Sequence, residues 1–457
     1  MNRVRKRAWI MLVFMGILLG GLSFFLYEFS VHGSAWATFK GSPHVYGGSS
    51  TVAGQVTDRD GFLLLDTTDG RSYSDHLGIR QATLHWLGDR QGNIRSTILN
   101  QYAAALSGFD HVDGVYRYGD QPGVLELTLS ARVQAAALKA MDGRKGTVAV
   151  YNYRTGQILC AVSTPTFDPD NLPDIAGDTA GIWEGVYLNR FTQVTYPPGS
   201  IFKIVTTAAA LDALEGAEEM RFSCDGVYEI QGGRVTCEQA HGDMDLKTAF
   251  ARSCNCAYAQ LALTMGSETL AEYVARFGIL DTISFDGFST VPGNFDLAGA
   301  DQVALAWSAI GQYTDMINPC QYLTFLGAIA GRGSAARPYL TERVTVGDET
   351  TYQAEQSQMD ALISPELAEL LGEYMRNNVQ SVYGAGNFPG LTVCAKSGTS
   401  ELGGGKTPNA MFAGFVADAQ YPLAFIVVVE NGGYGSHTCV PILSAVLDEC
   451  VRVLDGR

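Results

Sequence analysis

Tyr196-Pro197-Pro198-Gly199-Ser200-Ile201-Phe202-Lys203 decides how the rest of the chain is read. Two prolines and a glycine punctuate the backbone, and Ile201, Val205, Ala208, Ala209 and Leu211 follow with the spacing of a buried helix. Ser200 therefore falls at or near a helix start, where serine is favoured as a cap. Lys203 lies three residues on, on the same face, with Cβ atoms about 5–6 Å apart. A hydroxyl beside an amine on one turn suits a nucleophile and its base, although a plain helix cap has the same sequence. The apolar setting bears on this choice. Among Ile201, Phe202 and Ile204 a charged lysine is costly, so its pKa is expected to fall. Moving it from about 10.4 to near 7 takes roughly 4–5 kcal/mol, which burial supplies.

The chain around this stretch has 457 residues, enough for two or three domains and a large core. Its formal charge of -16 argues against a nucleic-acid partner, because a polyanion needs a basic patch. The compact basic cluster is Arg3, Arg5, Lys6 and Arg7, just ahead of an uncharged run from Ala8 to Tyr27. Such a run is long enough to cross a bilayer, and the positive flank places the N-terminus in the cytoplasm and the remainder outside. A cleaved signal peptide is the alternative, with Ala35-Trp36-Ala37 as a small-x-small cleavage site; the length of the run favours an uncleaved anchor.

Nine cysteines in a chain expected to face outward is an odd count, so at least one thiol is free or pairs with another chain. Cys224 and Cys237 flank Val227 to Val235, which has a Gly232-Gly233 turn and the look of a hairpin, so a Cys224–Cys237 disulfide is expected. Cys160, Cys394 and Cys450 sit in apolar segments and fit as small core residues. No Cys-x-x-Cys or His-x-x-x-His spacing occurs, so no metal site is expected.

In order along the chain, three regions are expected: a tail and anchor over 1–29, a β-rich pedestal over 30–123, and the main domain over 124–457. In the pedestal, Thr51 to Thr57 alternates, Asp58-Arg59-Asp60-Gly61 marks a turn, and Phe62 to Leu65 returns, which suggests a hairpin. Leu125 to Leu129 reads as a strand, and Ser130 as the cap of a helix through Val133, Ala137 and Met141. Thr147 to Tyr151 and Gln157 to Val162 have the spacing of an antiparallel hairpin buried on both faces. A second candidate site is Ser253-Cys254-Asn255, whose first and third side chains point the same way if the segment is extended, although it also fits a helix cap. A third is Lys396-Ser397-Gly398-Thr399, ending an apolar strand from Leu391. Gly398 there marks a place where another backbone comes close.

In this order, Ser200-x-x-Lys203, Ser253-x-Asn255 and Lys396-Ser397-Gly398-Thr399 match the signature of penicillin-binding proteins and serine β-lactamases. The context Arg190-Phe191-Thr192-Gln193 through Ser200 resembles the monofunctional, class B penicillin-binding transpeptidases. So do Thr155-Gly156-Gln157-Ile158-Leu159, Ile310-Gly311-Gln312 with Asn318-Pro319, and Asp58-Arg59-Asp60-Gly61. The resemblance covers nearly the whole chain. It implies an α/β fold, an antiparallel sheet flanked by helices with an all-helical subdomain, above the pedestal and the membrane helix.

The same resemblance implies roles. Ser200 would attack the carbonyl between two terminal D-alanines of a peptidoglycan stem peptide and form an acyl-enzyme. Lys203 would take its proton, Ser253 would relay one to the leaving amine, and Asn255 would hold the peptide amide. Lys396 would lend positive potential, and Ser397, Gly398 and Thr399 would bind the terminal carboxylate. The N–H groups of Ser200 and Thr399 would form the oxyanion hole. No cofactor is implied. β-Lactams would bind covalently, and a membrane-embedded glycan polymerase is the implied partner. The region between anchor and main domain is short, no C-terminal module is expected past Val440 to Leu454, and the sequence before Leu125 is too short for a glycosyltransferase domain. A D,D-carboxypeptidase or β-lactamase shares the chemistry, but no Glu-x-x-Leu-Asn pattern lies between Ser253 and Lys396. A β-lactam sensor would need several membrane helices, and a non-catalytic scaffold would keep the fold without turnover.

Overall fold

The computed structural model of the protein describes residues 2–37, 54–106, 108–110, 112, 114–116 and 123–457. Thr51, Val52 and Ala53 of the alternating run lie outside the described residues. The first element is one helix, Asn2–Ala37, long and apolar enough over Arg3–Gly33 to cross a membrane. Its apolar side chains are exposed along its length, Met11 at 70% and Leu18 at 71%, as lipid-facing side chains would be. Ala35, Trp36 and Ala37 form its last turn.

The pedestal hairpin is present: Gly54–Thr57 pairs antiparallel with Leu63–Asp66. Its turn is closed by Asp58, whose carboxylate accepts from the N–H of Asp60 (2.9 Å) and Phe62 (2.8 Å). The other oxygen accepts from Ala131 N at 2.9 Å, which ties the turn to the start of the helix Ala131–Met141. That helix is capped by Ser130, as its sequence suggests. The pedestal sheet does not close within its own stretch of chain. Its strand order is Glu349–Gln353, Thr341–Val346, Gly123–Leu127, Gly54–Thr57, Leu63–Asp66, Ser72–Tyr73. Two of those strands come from more than two hundred residues downstream, and Gly123–Leu127 pairs in parallel with Gly54–Thr57.

The main sheet has five antiparallel strands in the order Val393–Ser400, Asn409–Val416, Leu423–Val429, Gly146–Asn152, Ile158–Thr164. Its two-sided burial is visible residue by residue. Val148, Val150, Phe412, Phe425 and Val427 pack with Val133, Leu443 and Val446 of the helices Ala131–Met141 and Gly435–Leu454. The alternate residues Ala149, Tyr151, Met411, Ala413 and Ile426 enter the opposite core with Leu323, Phe325 and Leu326 of the helix Pro319–Ala330. The period of two along each strand thus feeds two cores. Beyond that second core lies the helical part, including Lys203–Ala213, Leu246–Ala251, Asn255–Met265, Ser267–Arg276 and Pro365–Asn378.

The expected hairpin is also found, Val227–Ile230 against Gly233–Thr236, but the disulfide is not. Cys224 and Cys237 are both free thiols. The hairpin closes at Val227 and Thr236, with Cys237 N donating to Gly226 O at 2.9 Å, while Cys224 already belongs to another strand pair, opposite Gly242. Their sulfurs turn to other partners: Cys237 Sγ lies 3.7 Å from Cys254 Sγ, and Cys224 Sγ lies 3.6 Å from His241 Nδ1. Cys160, Cys394 and Cys450 are buried core thiols, as expected.

Candidate active site

Ser200 lies in a tight 3-10 turn, Gly199–Phe202, that feeds directly into the helix Lys203–Ala213. Its expected capping role is not observed: neither helical segment has a side-chain cap at its start, so the hydroxyl is not spent on backbone N–H groups. The turn is clamped from several sides. Gly199 N donates to Gly311 O at 2.9 Å, Tyr196 and Ile317 exchange two backbone bonds of 2.9 Å, and Tyr322 OH donates to Ile201 O at 2.7 Å. Gly199 (φ 53°) and Gly311 (φ 81°) are both in the left-handed region, and a Cβ on Gly311 would stand 2.4 Å from Gly199 O. Two motifs singled out in the sequence, around Gly311 and Asn318, are therefore the buttress of the Ser200 turn. Asn318 caps Pro319–Ala330 and donates from its amide to Thr192 O and Val194 O, 3.0 Å each.

Lys203 is wholly buried, and its ammonium reaches Ser253 O (2.6 Å), Asn255 Oδ1 (2.8 Å) and Ser253 Oγ (3.1 Å). Lys396, equally buried, reaches the same Ser253 Oγ at 3.0 Å and Ser397 O at 3.0 Å. Three motifs separated by up to two hundred residues thus converge on one hydroxyl. The walls are aromatic: Lys203 lies 5.1 Å from the ring centre of Tyr258, and Lys396 lies 5.9 Å from that of Phe250. Neither lysine has an ion pair among the described residues. Burial, and then the like charge of Lys396, lower the Lys203 pKa to about 7. Burial alone lowers Lys396 to about 7.

Ser253 and Asn255 face the same cleft as expected, but not through an extended segment. Ser253 sits in a left-handed turn at φ 53°, and Cys254 caps the helix that Asn255 begins. The helix cap is thus the residue between the two polar ones, which leaves both polar side chains free for Lys203.

Lys396 to Thr399 lie on the outer strand of the main sheet, Val393–Ser400. Alternation sends Lys396 inward while Ser397 and Thr399 line an open cleft of about 820 Å³ shared with Ser200, Ser253 and Asn255. The backbone that comes close at Gly398 is the chain's own. A side chain there would meet Pro198 O and Ile201 Cγ2 at 3.0 Å each, so glycine lets the nucleophile turn lie against the strand.

Of the other contributors, Tyr383, Trp307 and His241 were not legible in the sequence, whereas Arg190, Tyr196 and Gln312 fall in stretches already singled out there. Tyr383, at the end of a π-helical turn after Pro365–Asn378, meets Ser397 N and Ser397 Oγ with its hydroxyl at 3.0 Å each. A lone tyrosine near Gly384 carries no spacing signal, although π turns often mark such sites. Arg190 and Tyr196 converge on Glu430 Oε1 at 2.7 and 2.8 Å, which pins the segment ahead of Ser200 to the loop after Leu423–Val429. Trp307, Gln312 and His241 also line the cleft.

Residues 146–448 match the model of the penicillin binding protein transpeptidase domain. The chain is 33% identical over 366 residues to the peptidoglycan D,D-transpeptidase PbpA of Mycolicibacterium smegmatis, covering 72% of this chain and 73% of that one. It is 25% identical over 424 residues to the stage V sporulation protein D of Bacillus subtilis, covering 87% of this chain and 61% of that one. Among solved structures, it is similar to penicillin-binding protein A from M. tuberculosis as its penicillin G acyl-enzyme complex. There the TM-score is 0.75 at 26% identity, covering 88% of this chain and all of the other (100%).

Proposed function

The chain belongs to the penicillin-binding protein transpeptidase family, and from that premise we infer that it is a peptidoglycan D,D-transpeptidase working through a serine acyl-enzyme. The observation that carries the mechanism is the Ser253 hydroxyl held between two buried lysine nitrogens, of which that of Lys203 follows Ser200 by three residues.

Three acceptors face the Lys203 nitrogen: Ser253 O, Ser253 Oγ and Asn255 Oδ1. As an ammonium it donates to all three. As a neutral amine it donates to Ser253 O and Asn255 Oδ1 and keeps a lone pair for a hydroxyl. With its pKa near 7 the neutral form is well populated at neutral pH. The Ser200 oxygen attacks the carbonyl between the terminal D-alanines, its proton passes to Lys203 Nζ, and the carbonyl π pair moves onto oxygen. N–H groups of Ser200 and Thr399 hold that oxyanion, each worth about 3–4 kcal/mol in acyl transfer. Lys203 returns the proton through Ser253 to the departing nitrogen, the C–N bond breaks, and D-alanine leaves. The amine of a second stem peptide then attacks the ester, gives up its proton along the same path, and releases Ser200. Lys396 holds Ser253 in place and lends positive potential, while Ser397 and Thr399 receive the terminal carboxylate beside the small Gly398. Neither half-reaction calls for a cofactor.

The helix Asn2–Ala37 anchors the protein, with Arg3, Arg5, Lys6 and Arg7 on the cytoplasmic side and the catalytic domain outside. A membrane-embedded glycan polymerase, supplying the strands to be cross-linked, is the partner this topology suits. The test is intact-mass spectrometry after treatment with penicillin. A single adduct of the drug's mass, absent in Ser200→Ala, is the expected result; no adduct, or one that survives the substitution, overturns the assignment. Fast multiple turnover of nitrocefin would instead favour a β-lactamase.

A further inference from the structure

Cys224, Cys237, His241 and Cys254 place four ligand atoms within 4.8 Å of one another. They come from three separate pieces of chain: the strand Arg221–Cys224, the loop after Gly233–Thr236, and the cap of Asn255–Met265. The two contacts between them have a particular size. For zinc held tetrahedrally with Zn–S of about 2.3 Å and Zn–N of about 2.0–2.1 Å, ligand atoms stand about 3.8 Å apart for two sulfurs and about 3.6 Å apart for sulfur and nitrogen. The observed separations are 3.7 Å for Cys237 Sγ to Cys254 Sγ and 3.6 Å for Cys224 Sγ to His241 Nδ1.

We propose that Cys224, Cys237, His241 and Cys254 bind a structural zinc ion beside the candidate active site. The surrounding groups suit thiolates. Cys237 Sγ accepts from Asn255 N at 3.0 Å and Cys256 N at 3.3 Å, and Cys254 Sγ accepts from Ala257 N at 3.4 Å. These are N–H groups of a helix start that have no partner within the helix and are met by sulfur instead, the kind of outer layer that orients metal ligands and spreads their charge. Cys224 and Cys254 are buried, whereas Cys237 and His241 line the cleft and give an ion its way in. The spacing is Cys-x12-Cys-x3-His-x12-Cys, in which the Cys-x3-His step alone has the size of a common zinc pair, so the sequence carried little warning.

The site has a consequence for the residues on either side of Cys254. Ser253 is held at φ 53° and Asn255 opens the helix, and both bond to Lys203. A metal bond on the sulfur between them fixes this loop, so zinc positions Ser253 and Asn255 without touching substrate. That second half rests on the acyl-transfer reading; metal binding itself does not.

The experiment uses the full chain in detergent. Elemental analysis is expected to give about one zinc per chain, and the cobalt-loaded protein to show thiolate-to-cobalt charge transfer with tetrahedral visible bands. Cys237→Ser and Cys254→Ser should each lose the metal, while Cys256→Ser keeps it. Removing zinc with a chelator should slow labelling by a fluorescent penicillin by about 10–100-fold, and added zinc should restore it. A chain that takes up no metal on reconstitution, a cobalt spectrum without the thiolate band, or a mapped disulfide among Cys224, Cys237 and Cys254 would sink the site. The first two readings need only the unmutated protein, so a variant that fails to fold does not blur them. Labelling that is unchanged once the zinc is gone refutes the positioning role. Zinc bound by a chain that no penicillin labels upholds the site and refutes the acyl transfer.

Discussion

At the scale of the residue, two lysines decide the chemistry, because each is buried and neither has a carboxylate to balance it among the described residues. A depressed base is neutral above its pKa, so the rate of acylation by penicillin is expected to climb about tenfold per pH unit below about 7 as Lys203 turns neutral, and to turn over above it as Lys396, also lowered to about 7, loses the positive potential it lends. Lys203→Arg puts a group there that stays protonated, since guanidinium pKa values exceed about 12. Stopped-flow measurement should find its acylation slowed by several orders of magnitude with no recovery at high pH; a near-normal rate would remove Lys203 as the base. The depression of Lys203 was legible from its apolar neighbours Ile201, Phe202 and Ile204. The push from Lys396 was not, because it acts through space between residues nearly two hundred positions apart.

At the scale of the element, the candidate site is a contact between one turn and one strand. Gly311 has no room for a side chain, with Gly199 O at 2.4 Å from a Cβ and φ at 81°. Gly311→Ala is expected to cost about 1–3 kcal/mol of stability and to slow acylation at least about tenfold, by moving the Ser200 turn. Thermal melts and labelling rates on the same sample check both. Tyr383→Phe removes the hydroxyl shared by Ser397 N and Ser397 Oγ. Loss of a buried partner costs about 1–3 kcal/mol, and acylation should weaken chiefly through drug binding, since Ser397 would lose its orientation while Lys203 is untouched. A purely kinetic defect at saturating drug would contradict this. Each element was recognisable from its own pattern, whereas Tyr383 was not: its role depends on where a helix happens to end.

At the scale of the whole molecule, Asp58 ties the hairpin Gly54–Thr57 and Leu63–Asp66 to the helix Ala131–Met141, bonding Asp60, Phe62 and Ala131 while only 2% exposed. Asp58→Ala leaves three donors without that carboxylate and is expected to destabilise the chain by about 2–4 kcal/mol, read by denaturant unfolding, while the folded fraction is still labelled at the normal rate. A change in labelling with stability intact would mean that this hairpin acts on the site directly. By itself the sequence determined the long apolar N-terminal helix and the two-sided strands, because these are written in local spacing and apolar period, while the three motifs were candidates one by one and gained their meaning from their joint resemblance to a family. Only the tertiary structure decided that Ser253 lies between two lysine nitrogens, that the pedestal sheet borrows Thr341–Val346 and Glu349–Gln353, and that Cys224 and Cys237 face His241 and Cys254 instead of bonding to each other. Those outcomes are set by packing between distant segments, where the partner of a buried side chain is whichever group the fold brings within about 4 Å.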